Sequence, residues 1–414
     1  MKRSRVVLFT LGLVLAVPRV AGAGPTHATP HSRIPPWARK YNVNCSHCHS
    51  PAVPRLNATG IAFKWAGYRM PDEIGEKTDV QKIEEYLGAR ARIQYNYVKR
   101  EGGPAEVSGV SLPSASLFVA GPFGKTYGGY LEFEREEEGA VDLTAEAAAL
   151  WGKSESYGGV RVGQGHLLLG GAIAGFDRAT GITAPLPMNQ ATTSVIPFRF
   201  GGDVVGLETF YVLRNRNRVS LRILNAQRAL EPLGVAPTGA EAEASTRRDY
   251  VVANQFMWDD VGSGIGAMAY FGTVAGLDAA APERNARYMR LAATANKIVR
   301  NIEILGGYVY SRDRNLPTGG ISPLTVSAAT GSAYWFTGQL TVPKTSLTFF
   351  GRYEFLDPDT DASADALRRA VLGSVLPVNL PEYLRLGLEL MFDTPQPLAG
   401  SKRRALAAEV MLIF

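Results

Sequence analysis

Tyr383-Leu384-Arg385-Leu386-Gly387-Leu388-Glu389-Leu390-Met391-Phe392 is the stretch on which the fold turns. Leu384, Leu386, Leu388, Leu390 and Phe392 share one parity, and Arg385, Gly387 and Glu389 share the other. Successive side chains of a strand point to opposite faces, so this segment reads as a strand with one apolar and one charged face. The same alternation runs back to residue 86. Ala91, Ile93, Tyr95 and Tyr97 alternate with Arg90, Arg92, Gln94 and Asn96; Leu131 and Phe133 alternate with Glu132 and Glu134; Ile302 and Ile304 flank Glu303. A soluble sandwich packs its apolar face and wets its charged one, whereas an outer-membrane barrel turns the apolar face to lipid and the charged face to its lumen. Alternation alone fits both.

Strand count, connections and terminus separate them. The pattern predicts 16 strands, at 86–99, 115–121, 126–136, 140–151, 157–165, 203–213, 218–226, 249–258, 263–273, 287–297, 299–311, 331–341, 346–356, 367–376, 382–392 and 403–414. An even number lets an antiparallel barrel close with both ends on one side. Tight connections (121–125, 152–156, 214–217, 259–262, 342–345) alternate with long ones (166–202, 227–248, 312–330, 393–402), the sorting of short periplasmic turns against long external loops. A further strand within 166–174 is the alternative count. The final strand keeps Leu406, Ala408, Val410, Leu412 and Phe414 on one parity and ends on an aromatic residue, like the terminal signal of outer-membrane barrels. Tyr308, Tyr310, Tyr334, Trp335, Phe349 and Tyr353 fit the aromatic girdles at the two lipid interfaces, ordinary strand packing being the alternative for any one of them. The expectation is therefore a mainly β chain, a 16-stranded antiparallel outer-membrane β-barrel over 86–414. Loop 166–202, long, glycine-containing and barely charged, is either folded inward to narrow the pore or packed on neighbouring loops.

The N-terminus has a different character. Lys2, Arg3 and Arg5 precede an apolar run to Val17, and Ala21-Gly22-Ala23 follows: a secretory signal peptide over 1–23, too short to span a bilayer. Its removal takes four positive charges from a formal net of +6 and leaves +2, so no nucleic-acid partner is implied. The only two cysteines exclude a disulfide framework and four-cysteine metal or iron–sulfur sites.

Both cysteines fall in Cys45-Ser46-His47-Cys48-His49, which matches C-x-x-C-H, the attachment sequence of a c-type haem. Two thiols on one helical turn reach the two vinyl groups of one porphyrin, and the adjacent imidazole meets the iron. A thioredoxin-like pair would need a βαβ context, but Pro35, Pro36, Pro51 and Pro54 flank this motif. A zinc site lacks further ligands at the required spacing. Residues 24–85 are thus expected to form a small α-helical monohaem cytochrome c domain, with Cys45 and Cys48 as thioether positions, His49 as proximal axial ligand and one covalently bound haem c as cofactor. Met70, the segment's only methionine, is the candidate distal ligand; ordinary packing is its alternative, and His27, His31 and His47 are weaker candidates. Leu56 to Tyr68 reads as a short amphipathic helix ending near Gly67. So small a domain needs a partner surface. The lumen, reached without a linker at Glu84-Glu85-Tyr86, supplies one, and the domain is predicted to plug, or partly enter, the periplasmic side of the barrel.

Pro35-Pro36-Trp37-Ala38-Arg39-Lys40-Tyr41, the motif Cys45 to His49, Leu56-Asn57-Ala58-Thr59-Gly60, Phe63 and Gly67-Tyr68 resemble the opening of the fused outer-membrane cytochrome–porins. The motif resemblance covers about residues 34–70. It implies electron transfer across the outer membrane, from extracellular Fe(II) to periplasmic cytochromes, as an outer-sphere Fe(II):cytochrome c oxidoreductase with no acid, base or nucleophile. Two other readings stand beside it: an outward conduit to external acceptors, and a diffusion porin with a structural or sensory haem. The acidic run Glu134, Glu136, Glu137 and Glu138 is either a cation-concentrating site at an external loop or a solvated surface. His166 is either a lumen ligand or structural. Asn57-Ala58-Thr59 has the form of a glycosylation sequon, taken as coincidental.

Overall fold

A computed structural model describes residues 36–78, 82–101, 107–136, 139–165, 180–194, 196, 198–225, 248–274, 286–314, 328–361, 365–379, 383–394 and 402–414. The signal segment 1–23, His27, His31, Glu137, Glu138, His166 and the stretch 166–174 lie outside these residues.

Sixteen strands follow one another: β1 Leu87–Arg100, β2 Val107–Phe123, β3 Tyr127–Glu136, β4 Val141–Lys153, β5 Ser156–Gln164, β6 Val205–Leu213, β7 Asn217–Asn225, β8 Arg248–Met257, β9 Gly264–Val274, β10 Ala286–Val299, β11 Ile302–Arg314, β12 Ala328–Thr341, β13 Thr348–Asp357, β14 Leu367–Asn379, β15 Tyr383–Asp393 and β16 Arg403–Ile413. Each pairs antiparallel with its neighbours in sequence, and β1 closes the barrel on β16 in the register Arg90↔Ile413 to Arg100↔Arg403. Closure leaves no edge strand. The period of two does the sorting. Ile93, Leu117, Phe133, Leu221, Ile304, Phe349 and Leu390 stand exposed on the outside, while Arg161, Glu208, Arg290, Glu354, Arg385 and Glu389 are buried inside. An apolar exterior around a charged interior belongs in lipid, so the chain is an outer-membrane barrel. The end that carries the short turns and the barrel's own two termini is the periplasmic one.

The 16 strands correspond one for one to those expected, with three corrections. β2 begins at Val107, where 115 was predicted. A register shift between Arg92 and Gln94 resets the alternation there, and Gly109, Ser111 and Pro113 hide the pattern. The alternation of short and long connections is not strict, because β3 and β4 join externally through four residues with Gly139 at φ 83°. Trp335 is not a girdle residue: it is 2% exposed, opposite in parity to Tyr334, and its ring lies inside over Gly307. Tyr308, Tyr334, Phe349 and Tyr353 do face outward.

Two inserts occupy the lumen. Residues 36–78 enter from the periplasmic end and share one compact unit with the barrel. The described residues of 180–204 (180–194, 196 and 198–204), at the end of loop 166–202, fold inward from the external side. Thr183 Oγ1 donates to Glu389 at 2.6 Å, Leu186 N to Glu354 at 2.7 Å and Ile196 N to Asp313 at 3.1 Å. Phe198 packs on Tyr270 and Tyr288. Wall carboxylates thus satisfy the backbone groups that an inward loop would otherwise leave unpaired.

Candidate functional site

The helix Ala58–Trp65 starts at Asn57, whose Oδ1 accepts from Gly60 N at 3.1 Å, an N-cap. The Nδ2 of the same side chain donates to the carbonyls of Ser46 and His47 at 3.2 and 3.1 Å. One asparagine therefore anchors the helix and ties it to the cysteine turn. Gly60 lets the two approach: a Cβ there would lie 2.2 Å from the Cys48 carbonyl oxygen. Replacing Asn57 by Ala should cost the helix about 1 kcal/mol. The measurement is hydrogen exchange on the whole protein: faster at the helix's first turn, unchanged in the barrel.

Residues Cys45–His47 form a 3₁₀ turn, and His49 N donates to Cys45 O at 2.9 Å, so Cys45, Cys48 and His49 share one turn. The thiols are not joined in a disulfide. Burial pushes both up to about 11, so neither is the thiolate that a thioredoxin-like pair requires. His49 Nδ1 lies 3.1 Å from the carbonyl of Arg55, the kind of contact that orients a ligating imidazole through its other nitrogen. His47 is exposed and does not line the cavity described next.

That cavity holds about 1160 Å³ of empty space, part of it open to solvent. Cys45, Cys48, His49 and Met70 all border it. Trp37, Tyr41, Phe63 and Tyr68 supply aromatic surface from the helical segment; Phe118, Tyr130 and Tyr383 supply it from the wall, where Ile413 adds an aliphatic side chain. Trp37 and Tyr68 stack at 5.7 Å, and Tyr68 and Tyr130 at 5.4 Å. Two thiols, an oriented imidazole and a thioether around an apolar, aromatic cleft form the donor set and walls that a thioether-linked haem requires. Met70 also packs on the Phe63–Tyr68 cluster, so its packing and ligand readings meet in one position.

The wall grips the segment at many points. Trp37 Nε1 donates to Ala120 O at 3.1 Å, Arg69 Nη1 to Lys125 O at 2.9 Å, Val53 N to Tyr383 Oη at 2.9 Å and Arg385 Nη1 to Val53 O at 2.7 Å. Tyr68 bonds Glu146, and the guanidinium of Arg55 forks onto Glu303, with Nε 3.1 Å from Oε2. Gly128 admits the chain at Gly67, since a Cβ there would lie 2.1 Å from the Gly67 carbonyl oxygen. The helical segment is thus seated in the lumen, at its periplasmic end. Sequence reasoning missed Arg55, Tyr383 and Arg385, because parity shows that a residue faces the lumen and not what it meets there. Glu134 stands near the external end of β3, in keeping with an acidic run at that strand–loop junction. It faces inward, 2.8 Å from Arg90, which also binds Glu132 at 3.0 Å and borders the cavity.

Solved outer-membrane channels share this barrel. An anion-selective porin from Comamonas acidovorans aligns with a TM-score of 0.53 at 12% identity, over 79% of this chain and 98% of its own. OmpF of Salmonella typhi, solved as a complex with daunomycin, gives 0.54 at 10%, over 79% and 97%. The channel DcaP of Acinetobacter baumannii gives 0.51 at 11%, over 79% and 96%. No protein-family model and no curated protein matches the chain. At these identities the likeness is one of fold. The class so defined is a bacterial outer-membrane β-barrel of porin fold, here with a helical segment seated in its lumen.

Proposed function

We propose that this chain is an outer-membrane electron-transfer protein holding one covalently attached haem c, Cys45 and Cys48 forming the thioethers and His49 and Met70 the axial positions. The observation that carries the reading is the gathering of these four residues around one aromatic-walled cavity inside the barrel. The group would supply a one-electron couple. The chain's part is to bind it, exclude bulk water with Trp37, Phe63, Tyr68 and Phe118, and orient the imidazole through the Arg55 carbonyl. The apolar band of such a barrel is about 25 Å tall. A redox centre in its periplasmic half therefore favours a donor that enters the lumen. The inward-facing Arg92, Gln94 and Asn96 of β1 are only partly buried, in contrast to the walls packed by residues 180–204, and mark the wetter side. The donor implied by the resemblance is Fe(II), with a periplasmic cytochrome as acceptor; electron flow to an external acceptor uses the same path reversed.

The test is a redox titration of the purified protein followed by stopped-flow mixing with Fe(II). A haem potential high enough to accept from Fe(II), with rapid reduction on mixing, supports the reading. A potential too low for that points to the outward conduit. Replacing Met70 by Ala should lower the potential and change the optical spectrum, since a thioether ligand raises it; identical spectra and potentials would return Met70 to packing.

The likeness to porins favours a second reading, a diffusion channel. It is tested by conductance in planar bilayers: open-porin currents from the intact chain support the channel, and small currents support the plugged conduit.

A further inference from the structure

The outer surface carries a charge pattern that neither the cavity nor the lumen uses. At the external end of the barrel Arg287 of β10 stands directly opposite Arg314 of β11, with Arg312 one outward position nearer the midplane, opposite Met289. The three share the parity of Leu291 and Tyr308, which are exposed on the outside. Their outward neighbours on the flanking strands are Thr273, opposite Arg287, Thr330, opposite Arg312, and Ala328, opposite Arg314. None of these neighbours is acidic, and no ion pair joins the three arginines to a carboxylate among the described residues. Like charges directly opposed across a ladder destabilise it, and a guanidinium cannot shed its proton to escape. Met289 and Phe271 share the layer of Arg312, and one layer further toward the midplane Tyr310 lies opposite Leu291, so the outward surface turns apolar below the arginines. Two residues along a strand span about 7 Å. The guanidinium groups therefore sit just above the hydrocarbon, at headgroup level. On the seam Lys99 of β1 faces Arg404 of β16 at the same end.

We infer that Arg287, Arg312 and Arg314 form a binding site for the phosphate groups of an anionic lipid of the outer leaflet. Guanidinium forks match phosphate oxygens bidentately, and Thr273 and Thr330 place hydroxyls beside them. The phosphate relieves the repulsion between the opposed arginines, while the lipid's chains cover Met289, Phe271 and Tyr310 below. The inference rests on the barrel's place in the membrane and is independent of the haem.

The experiment uses the purified full-length protein in detergent micelles, titrated with diphosphorylated lipid A, with dephosphorylated lipid A and with inorganic phosphate, bound lipid being counted by native mass spectrometry. The diphosphorylated form should bind well above the dephosphorylated one. The double replacement Arg287→Ser with Arg314→Ser should weaken it about 30-fold, the change to which two cations at roughly 1 kcal/mol each convert, while Arg287→Lys with Arg314→Lys should retain most of the affinity. Equal binding of the two lipids, an unchanged affinity in the serine variant, or displacement of lipid A by equimolar inorganic phosphate overturns the assignment. Heat-modifiable migration reports whether each variant folds; should the serine variant not fold, the comparison of the two lipids on the unaltered protein decides alone.

Discussion

Exchanging Cys45 and Cys48 together for alanine is expected to give a folded barrel that retains no chromophore after denaturation. The two thiols are the only covalent anchors the chain offers, and the rest of the site does not depend on them. The bond from His49 N to Cys45 O is made by backbone. The Asn57 cap holds the turn through the carbonyls of Ser46 and His47, and the aromatic walls come from elsewhere. Loss of two sulfur atoms removes thioether formation and leaves the cleft. A porphyrin held only through its iron, by His49 and Met70, would then be extracted by acidic organic solvent, whereas in the unaltered protein it would stay on the polypeptide. The readout is the Soret absorbance of denatured, solvent-washed protein, with heat-modifiable migration as the folding control. Covalent absorbance surviving in the double variant, or missing from the unaltered chain matured with competent attachment machinery, would sink the haem assignment.

Replacing Arg55 by Ala should loosen the plug more than any other single change on its surface. The Arg55 guanidinium and the Glu303 carboxylate are both almost wholly buried, at 5% and 6% side-chain exposure. Glu303 also accepts from Asn296 Nδ2 at 2.8 Å and from Gln339. Removing one partner of such a pair strands a buried charge, at a cost of about 3–5 kcal/mol, whereas replacing both by apolar side chains of similar volume is often neutral. The single variant should therefore show faster hydrogen exchange over residues 52–65 and larger bilayer currents. Adding Glu303→Met to Arg55→Met should restore much of the protection. Equal behaviour of the single and double variants would mean that the pair does not hold the segment in place.

The sequence made the barrel legible because lipid and lumen impose opposite demands on alternate residues, and Leu384 to Phe392 records them without interruption. It failed where that rule breaks. The bulge between Arg92 and Gln94 conceals the first eight residues of β2, and Trp335 has the residue type of a girdle but the parity of the interior. The cysteine turn was legible because its chemistry is compressed into five consecutive residues. The cavity around it was not, since its lining joins Trp37 and Phe63 to Phe118, Tyr130 and Tyr383. No local pattern announces a contact such as Val53 with Tyr383, 330 positions apart.

That separation bears on how the molecule is made. Ile413 belongs to the sixteenth strand and Tyr383 to the fifteenth, yet both touch the pocket of the N-terminal segment, so the seam that completes the cylinder also completes the pocket. While β1 and β16 are apart the chamber lacks part of its wall, so an enzyme attaching the proposed haem would reach the cysteine turn more readily before closure than after it. Zipping the seam in the membrane then walls it in. If the proposed haem is attached, attachment before the seam closes would meet an open turn, and attachment afterwards a walled one.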